Sequence, residues 1–180
     1  MKRSLLALSL LAAFPLAQAS ELSYSYLEAG YLNIDPKGFS SEDGWSVRGS
    51  VAVSDNFHIF GGYDQIRFRV FGNRINLDFW RLGLGYNHAL NDRNDLVARV
   101  AYEDFDGDDG WSVEVGLRSA LSRNFEGFIG LGYADSSDFS GEAFLSLQGQ
   151  YKFNRNWGLV ADAKIGEDGR QYFIGPRVSF

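Results

Sequence analysis

The stretch Trp45-Ser46-Val47-Arg48-Gly49-Ser50-Val51-Ala52-Val53 decides the fold. Its odd positions are apolar or Gly, with Ser46, Arg48 and Ser50 between them, so successive side chains fall on opposite faces of a pleated strand, one apolar and one polar. The same period of two recurs in Trp80–Tyr86, Leu96–Tyr102, Trp111–Arg118, Ala143–Phe153, Leu159–Ile165 and Tyr172–Phe180. Tyr24–Asn33, Phe57–Arg69 and Phe125–Tyr133 follow it less sharply. The pattern predicts an all-β chain of ten strands without helices. Eight strands is the alternative count, and the Phe57–Asn76 region holds the hairpin on which the two differ.

Composition narrows the class. Of 180 residues, 45% are hydrophobic and 16% aromatic, which is too much apolar surface for a disordered chain. The 22% charged residues exclude a bundle of membrane-spanning helices. A formal charge of −6 with no basic stripe excludes nucleic acid as a partner. With no Cys there are no disulfides, thiol redox chemistry, Cys-ligated zinc or lipidated cysteine. The N-terminus reads as an export signal over residues 1–19: basic Lys2-Arg3, an apolar run Leu5–Leu16, and the small-x-small site Ala17-Gln18-Ala19. The run is too short for a transmembrane helix, which needs about 20 apolar residues, and it contains Pro15. The mature domain is then 20–180. Without Lys2 and Arg3 it carries 15 Lys and Arg against 23 Asp and Glu, a formal −8.

The connections alternate in kind. Ser54-Asp55-Asn56, Leu90–Asn94, Ser122-Arg123-Asn124 and Asn154-Arg155-Asn156 read as short turns. Asp35–Asp43, Phe68–Asn76, Asp104–Gly110, Asp135–Gly141 and Glu167–Gly169 read as longer loops, all at the other end of the sheet. A soluble sandwich buries its apolar face and exposes its charged one. Here the charged face is crowded with small residues, among them Gly62, Gly83, Gly85, Gly116, Gly130 and Gly132. They are mixed with Arg48, Arg81, Arg99, Glu103, Glu114, Arg118, Glu126, Lys152, Asp162, Lys164 and Arg177, the makeup of a narrow lumen packed with ion pairs. The apolar face carries aromatics near the strand ends. Trp45, Tyr63, Trp80, Tyr102, Trp111 and Tyr133 lie towards the longer loops, and Tyr86, Tyr151 and Trp157 towards the short turns. Two such girdles flanking an apolar band suit a bilayer, where an open sheet edge is untenable and the sheet must close. About 9 to 11 residues per tilted strand fit ten strands into the mature length. An antiparallel up-and-down transmembrane barrel follows, exported through the periplasm to the bacterial outer membrane.

The final strand, Phe173-x-Gly175-x-x-Val178-x-Phe180, resembles the C-terminal signal by which outer-membrane barrels are recognised for assembly, which implies the assembly machinery as a partner. Five segments resemble a family of small Gram-negative outer-membrane barrels, some of whose members have been described as quorum-sensing or diffusible-signal-dependent: Gly85–Ala89, Leu96–Tyr102, Ser112–Ala120, Asn124–Gly127 and Phe173–Val178. The resemblance implies this fold and location, with links to motility, biofilm and host interaction. It supplies no chemical motif for any residue.

No catalytic constellation is legible. His58 and His88 both lie towards the short turns, and no base is positioned beside a nucleophile. Asp104, Asp106, Asp108 and Asp109 are the weak candidates for a metal, but the loop lacks an EF-hand's Gly at its sixth position and Glu at its twelfth. A broader set crowds the same end: Asp35, Glu42, Asp43, Asp135, Asp138, Glu142, Glu167 and Asp168. These acids suggest bridges to lipopolysaccharide phosphates through divalent cations. The expected protein is a monomeric, cofactor-free, non-enzymatic barrel with a largely filled lumen, serving envelope integrity or surface interaction. The alternative is a narrow porin-like channel.

Overall fold

The structure is a computed structural model that describes residues 22–70, 73–137 and 141–180, so the expected signal peptide and Asp138 lie outside the described residues. Ten antiparallel strands are present: β1 (Tyr26–Pro36), β2 (Glu42–Ala52), β3 (Phe57–Val70), β4 (Asn73–Asn91), β5 (Asn94–Phe105), β6 (Asp108–Ala120), β7 (Phe125–Ser136), β8 (Glu142–Lys152), β9 (Trp157–Gly166) and β10 (Gly169–Ser179). Each pairs with its sequence neighbours, and β1 pairs with β10, giving a closed barrel with no free edge. The ten-strand reading therefore holds, and the hairpin in question is β3–β4.

Burial is inverted relative to a soluble protein. Arg177, Glu28, Glu126 and Arg118 are 2 to 5% exposed, whereas Leu82, Leu84, Val115 and Leu131 are 54 to 69% exposed. The cause is parity. On β4, even positions such as Leu82 and Leu84 face out while Arg81, Gly83 and Gly85 face in, and the ladder carries this division from strand to strand.

Two expectations need correction. The connections at the acidic end are not uniformly the longer ones: the links 37–41 and 137–141 exceed every turn at the other end, but 106–107 and 167–168 are two-residue turns. Most of Phe68–Asn76 and Asp104–Gly110 is strand, because backbone pairing does not need alternating side chains once a hairpin has been started. Asp106 and Gly107 both have positive φ (51° and 96°), the two-residue turn whose twist matches the flanking strands. The second correction concerns the N-terminal side: β1 begins at Tyr26, and Leu22–Ser25 turn into the barrel.

Candidate functional site

The inward face is the candidate site. All eleven charged residues picked from the sequence point into it. Arg48 on β2 reaches across the barrel to Asp162 on β9 at 2.8 Å, and Arg81 reaches Asp64 at 3.3 Å, where Ser46 also donates its hydroxyl. Arg99 pairs with Glu114 at 3.0 Å, and Glu103 accepts from Ser112 at 2.9 Å. Nearer the chain termini, Glu126 holds both Arg118 (2.7 Å) and Lys152 (2.8 Å). Arg177 donates to Glu28 at 2.6 Å and to Gln150 at 2.9 Å. The Lys164 ammonium sits 4.1 Å over the Phe144 ring. Over the inner lumen Arg48, Arg81, Arg99, Arg118, Lys152, Lys164 and Arg177 are thus matched in number by Glu28, Asp64, Asp95, Glu103, Glu114, Glu126 and Asp162, while Asp108 and Glu142 add further acids around an outer cavity.

Aromatic rings share this interior with glycines. A Cβ on Gly83 would run into Phe60, one on Gly85 into His58, and one on Gly132 into Phe144. Each ring thus lies on the bare backbone of the adjacent strand, which explains why the polar face is so rich in Gly. Cavities remain. An inner one of about 140 Å³ is lined by Arg48, Arg81, Arg99, Glu114 and Asp162. An outer one of about 270 Å³ lies among Phe79, Phe105, Asp108, Ala134 and Glu142 at the hairpin end. Glu103 and Lys164 border both and form the neck between them.

The opposite, terminal end is occupied by Leu22 and Tyr24. They pack with Val97, Ala120 and Phe128 in one buried apolar cluster. The Tyr24 hydroxyl donates to Asp95 at 2.7 Å, its ring stacks on His58 at 4.7 Å, and the Arg118 guanidinium lies 4.7 Å over it. Arg118 also donates to the Ser23 carbonyl at 2.9 Å. Burial pushes the Tyr24 hydroxyl well above the ordinary tyrosine range, and Asp95 adds to this against the opposing pull of Arg118. His58 is 2% exposed and faces Asn87 at 3.3 Å, a structural placement with no nucleophile at hand. Asp64 and Asp95 share the parity of the recognised lumen residues, so alternation alone could have found them. No sequence signal marks Tyr24 as anything but the start of a strand.

On the outer face, Trp45–Tyr63, Trp80–Tyr102 and Trp111–Tyr133 form ring pairs at 5.3 to 5.9 Å near the hairpin end. Tyr86, Tyr151 and Trp157 are exposed near the terminal end. Just beyond the first set stand outward acids in register: Asp104 opposite both Trp80 and Asp109, and Asp135 opposite Trp111. The four aspartates considered for a metal diverge. Asp104 and Asp109 face out, Asp106 forms the turn, and Asp108 points in to accept from Ser136 (2.9 Å) and Ser137 (2.8 Å). Among the described residues no group of three His, Cys, Asp or Glu side chains could hold a metal ion. In β10, Phe173 and Gly175 face inward and Val178 outward, with Arg48 4.2 Å over the Phe173 ring, and Phe180 follows the strand with its N–H donating to the Ser25 carbonyl at 3.1 Å.

No family model and no curated protein matches the sequence. Solved structures do match in fold. The KdgM porin aligns over 86% of this chain and 99% of its own, at a TM-score of 0.55 and 11% identity. Ail, the attachment invasion locus protein of Yersinia pestis, covers 88% of this chain and 99% of its own (TM-score 0.43, 11% identity). Neisserial surface protein A covers 88% and 98% (TM-score 0.42, 15% identity). The likeness to the KdgM porin is one of fold, a closed antiparallel β-barrel of the outer-membrane kind.

Proposed function

We propose that this chain is a small barrel of the Gram-negative outer membrane, reached through the periplasm, whose inner lumen is a self-neutralised structural core. It serves envelope integrity or cell-surface contact and carries no catalysis. The observation that supports this reading is the inverted burial. A protein that leaves Leu82, Leu84, Val115 and Leu131 more than half exposed while enclosing Glu28 and Arg177 has its apolar side turned to lipid. The charged interior supports a filled lumen because its acids and bases pair with one another across the inner lumen and hold each other's side chains in that space. Fractionation of the expressed protein, followed by planar-bilayer recording, tests both parts. Recovery in the outer membrane with a silent bilayer is expected. A detergent-free, monodisperse protein in the periplasmic fraction would overturn the location, and frequent conductance steps would overturn the filled lumen in favour of a porin.

Two partners belong to this reading. Asp104, Asp109 and Asp135 stand outward beyond the aromatic girdle, where a divalent cation would be shared between one of these carboxylates and lipopolysaccharide phosphates, which supply its remaining ligands. The expected result is a drop in the barrel's melting temperature when EDTA is added to lipopolysaccharide-containing bilayers; unchanged melting counts against the bridge. Val178, outward on β10, and the terminal Phe180 would present the assembly signal to the barrel-inserting machinery. A role in biofilm, host contact or quorum sensing rests on the sequence resemblance, and a deletion strain assayed for adhesion and biofilm mass tests it.

A further inference from the structure

The terminal end of the lumen is closed by residues that do not belong to the barrel wall. Leu22 and Tyr24 are 3% and 6% exposed, and they complete an apolar cluster that the wall alone, through Val97, Ala120 and Phe128, leaves unfinished. The wall groups that hold this segment have other partners. Arg118 keeps Glu126, and His58 keeps Asn87, whether or not Tyr24 is in place. Withdrawing the segment leaves Asp95 without the Tyr24 hydroxyl but breaks no wall-to-wall ion pair. A natural pivot exists at Ser25, whose carbonyl accepts from Phe180 N–H at 3.1 Å and whose hydroxyl accepts from Ala52 N–H at 3.1 Å. Above the segment the inner and outer cavities meet at Glu103 and Lys164, and neither is lined by the interior's second apolar cluster, Leu32, Ile66, Val160 and Phe173, which fills the lumen beside them.

We propose that Leu22–Tyr24 is a displaceable stopper, and that its withdrawal converts the closed barrel into a narrow channel for small ions. The proposal rests on the membrane-spanning reading above and adds a latent transport activity to it. Desolvating an ion against Leu22, Tyr24, Val97 and Phe128 is the barrier in the closed form. Once the segment leaves, the inner cavity offers Arg48, Arg81, Arg99, Glu114, Gln148 and Asp162 beside the Phe60, Phe128 and Phe144 rings, and these charged and amide groups can stand in for hydration. Tyr24 carries most of the latch, since its hydroxyl, its ring face and its stack on His58 are all engaged.

Planar-bilayer recordings of refolded wild type, Tyr24→Ala, Tyr24→Phe and Leu22→Ser test this, each preparation first checked for heat-modifiable gel migration. Wild type is expected to open rarely. Tyr24→Ala should raise the open probability at least about tenfold, because a hydrogen bond to a charged acceptor alone biases a two-state equilibrium by that much. Tyr24→Phe, which keeps the ring, should fall between the two. If Tyr24→Ala does not refold, Leu22→Ser probes the same seal with the latch intact and should also raise the open probability. A folded Tyr24→Ala or Leu22→Ser as silent as wild type overturns the stopper, as does a wild type that opens as often as Tyr24→Ala. A wild type recovered soluble in the periplasm fails the membrane reading instead, so the two failures are distinguishable.

Discussion

Glu28→Gln tests how dry the lumen is. Glu28 and Arg177 are each 2% exposed at their side chains and bonded at 2.6 Å, so removing one charge leaves a guanidinium facing a neutral amide in a desolvated space. Breaking such a buried pair costs about 3 to 5 kcal/mol. Arg177 retains its bond to Gln150 at 2.9 Å and its position 4.0 Å over the Tyr26 ring, which places the loss near the lower bound, about 3 kcal/mol. Arg48, 4.0 Å from Glu28, loses little because Asp162 holds it more closely. The assay is reversible urea unfolding in lipid vesicles, with Glu114→Gln as the comparison. The Arg99–Glu114 pair is 24% and 13% exposed, so its loss should cost only about 1 kcal/mol. In a double-mutant cycle, Arg177→Met should recover most of the Glu28→Gln loss by removing the orphaned charge. A Glu28→Gln variant within about 0.5 kcal/mol of wild type would refute the reasoning and mean that water reaches this pair.

Leu84→Arg places a charge on the outward apolar band and should destabilise the inserted barrel by about 2 to 4 kcal/mol in vesicle unfolding, whereas a water-facing Leu would tolerate it. Gly132→Val drives a side chain into the Phe144 ring and the Val113 carbonyl and should cost about 1 to 3 kcal/mol of stability; the double variant with Phe144→Ala should recover the ring's share of that loss and leave the carbonyl's. Raising the pH tests Tyr24. Its hydroxyl is held above the usual tyrosine range, so its contribution is intact below about pH 10 and is lost as alkali ionises first the unfolded and then the folded phenol. Thermal unfolding followed by circular dichroism from pH 8 to 11.5 should show a steeper alkaline decline for wild type than for Tyr24→Phe.

What could be read from the sequence and what could not divide on physical lines. Parity is local, so the strands, the inward charges and the outward aromatics were all legible from alternation. Which acid meets which base was not: Arg48 and Asp162 are separated by 114 positions, and only closure of the barrel brings them together. The ring-on-glycine contacts needed the register between strands, which alternation does not set. The hairpin end was misread because Asp, Gly and Ser signal loops, yet there they continue a ladder whose backbone bonds are indifferent to side chains. Tyr24 was misread for the opposite reason: its spacing suits a strand, and only the empty space beneath Arg118 draws it inward.

The seam between β1 and β10 constrains how this molecule comes into being. Gly30 and Gly175 meet there so closely that a Cβ on either would strike the opposite main chain, and no wall exists until Ser179 has found Tyr26. Joining the two ends of a polymer is the slowest kind of contact to make, and every earlier intermediate carries two raw margins. Ribosomal synthesis therefore delivers a ribbon that nothing but its own tail can zip. Until that last strand is in place, both margins keep their unpaired backbone groups open.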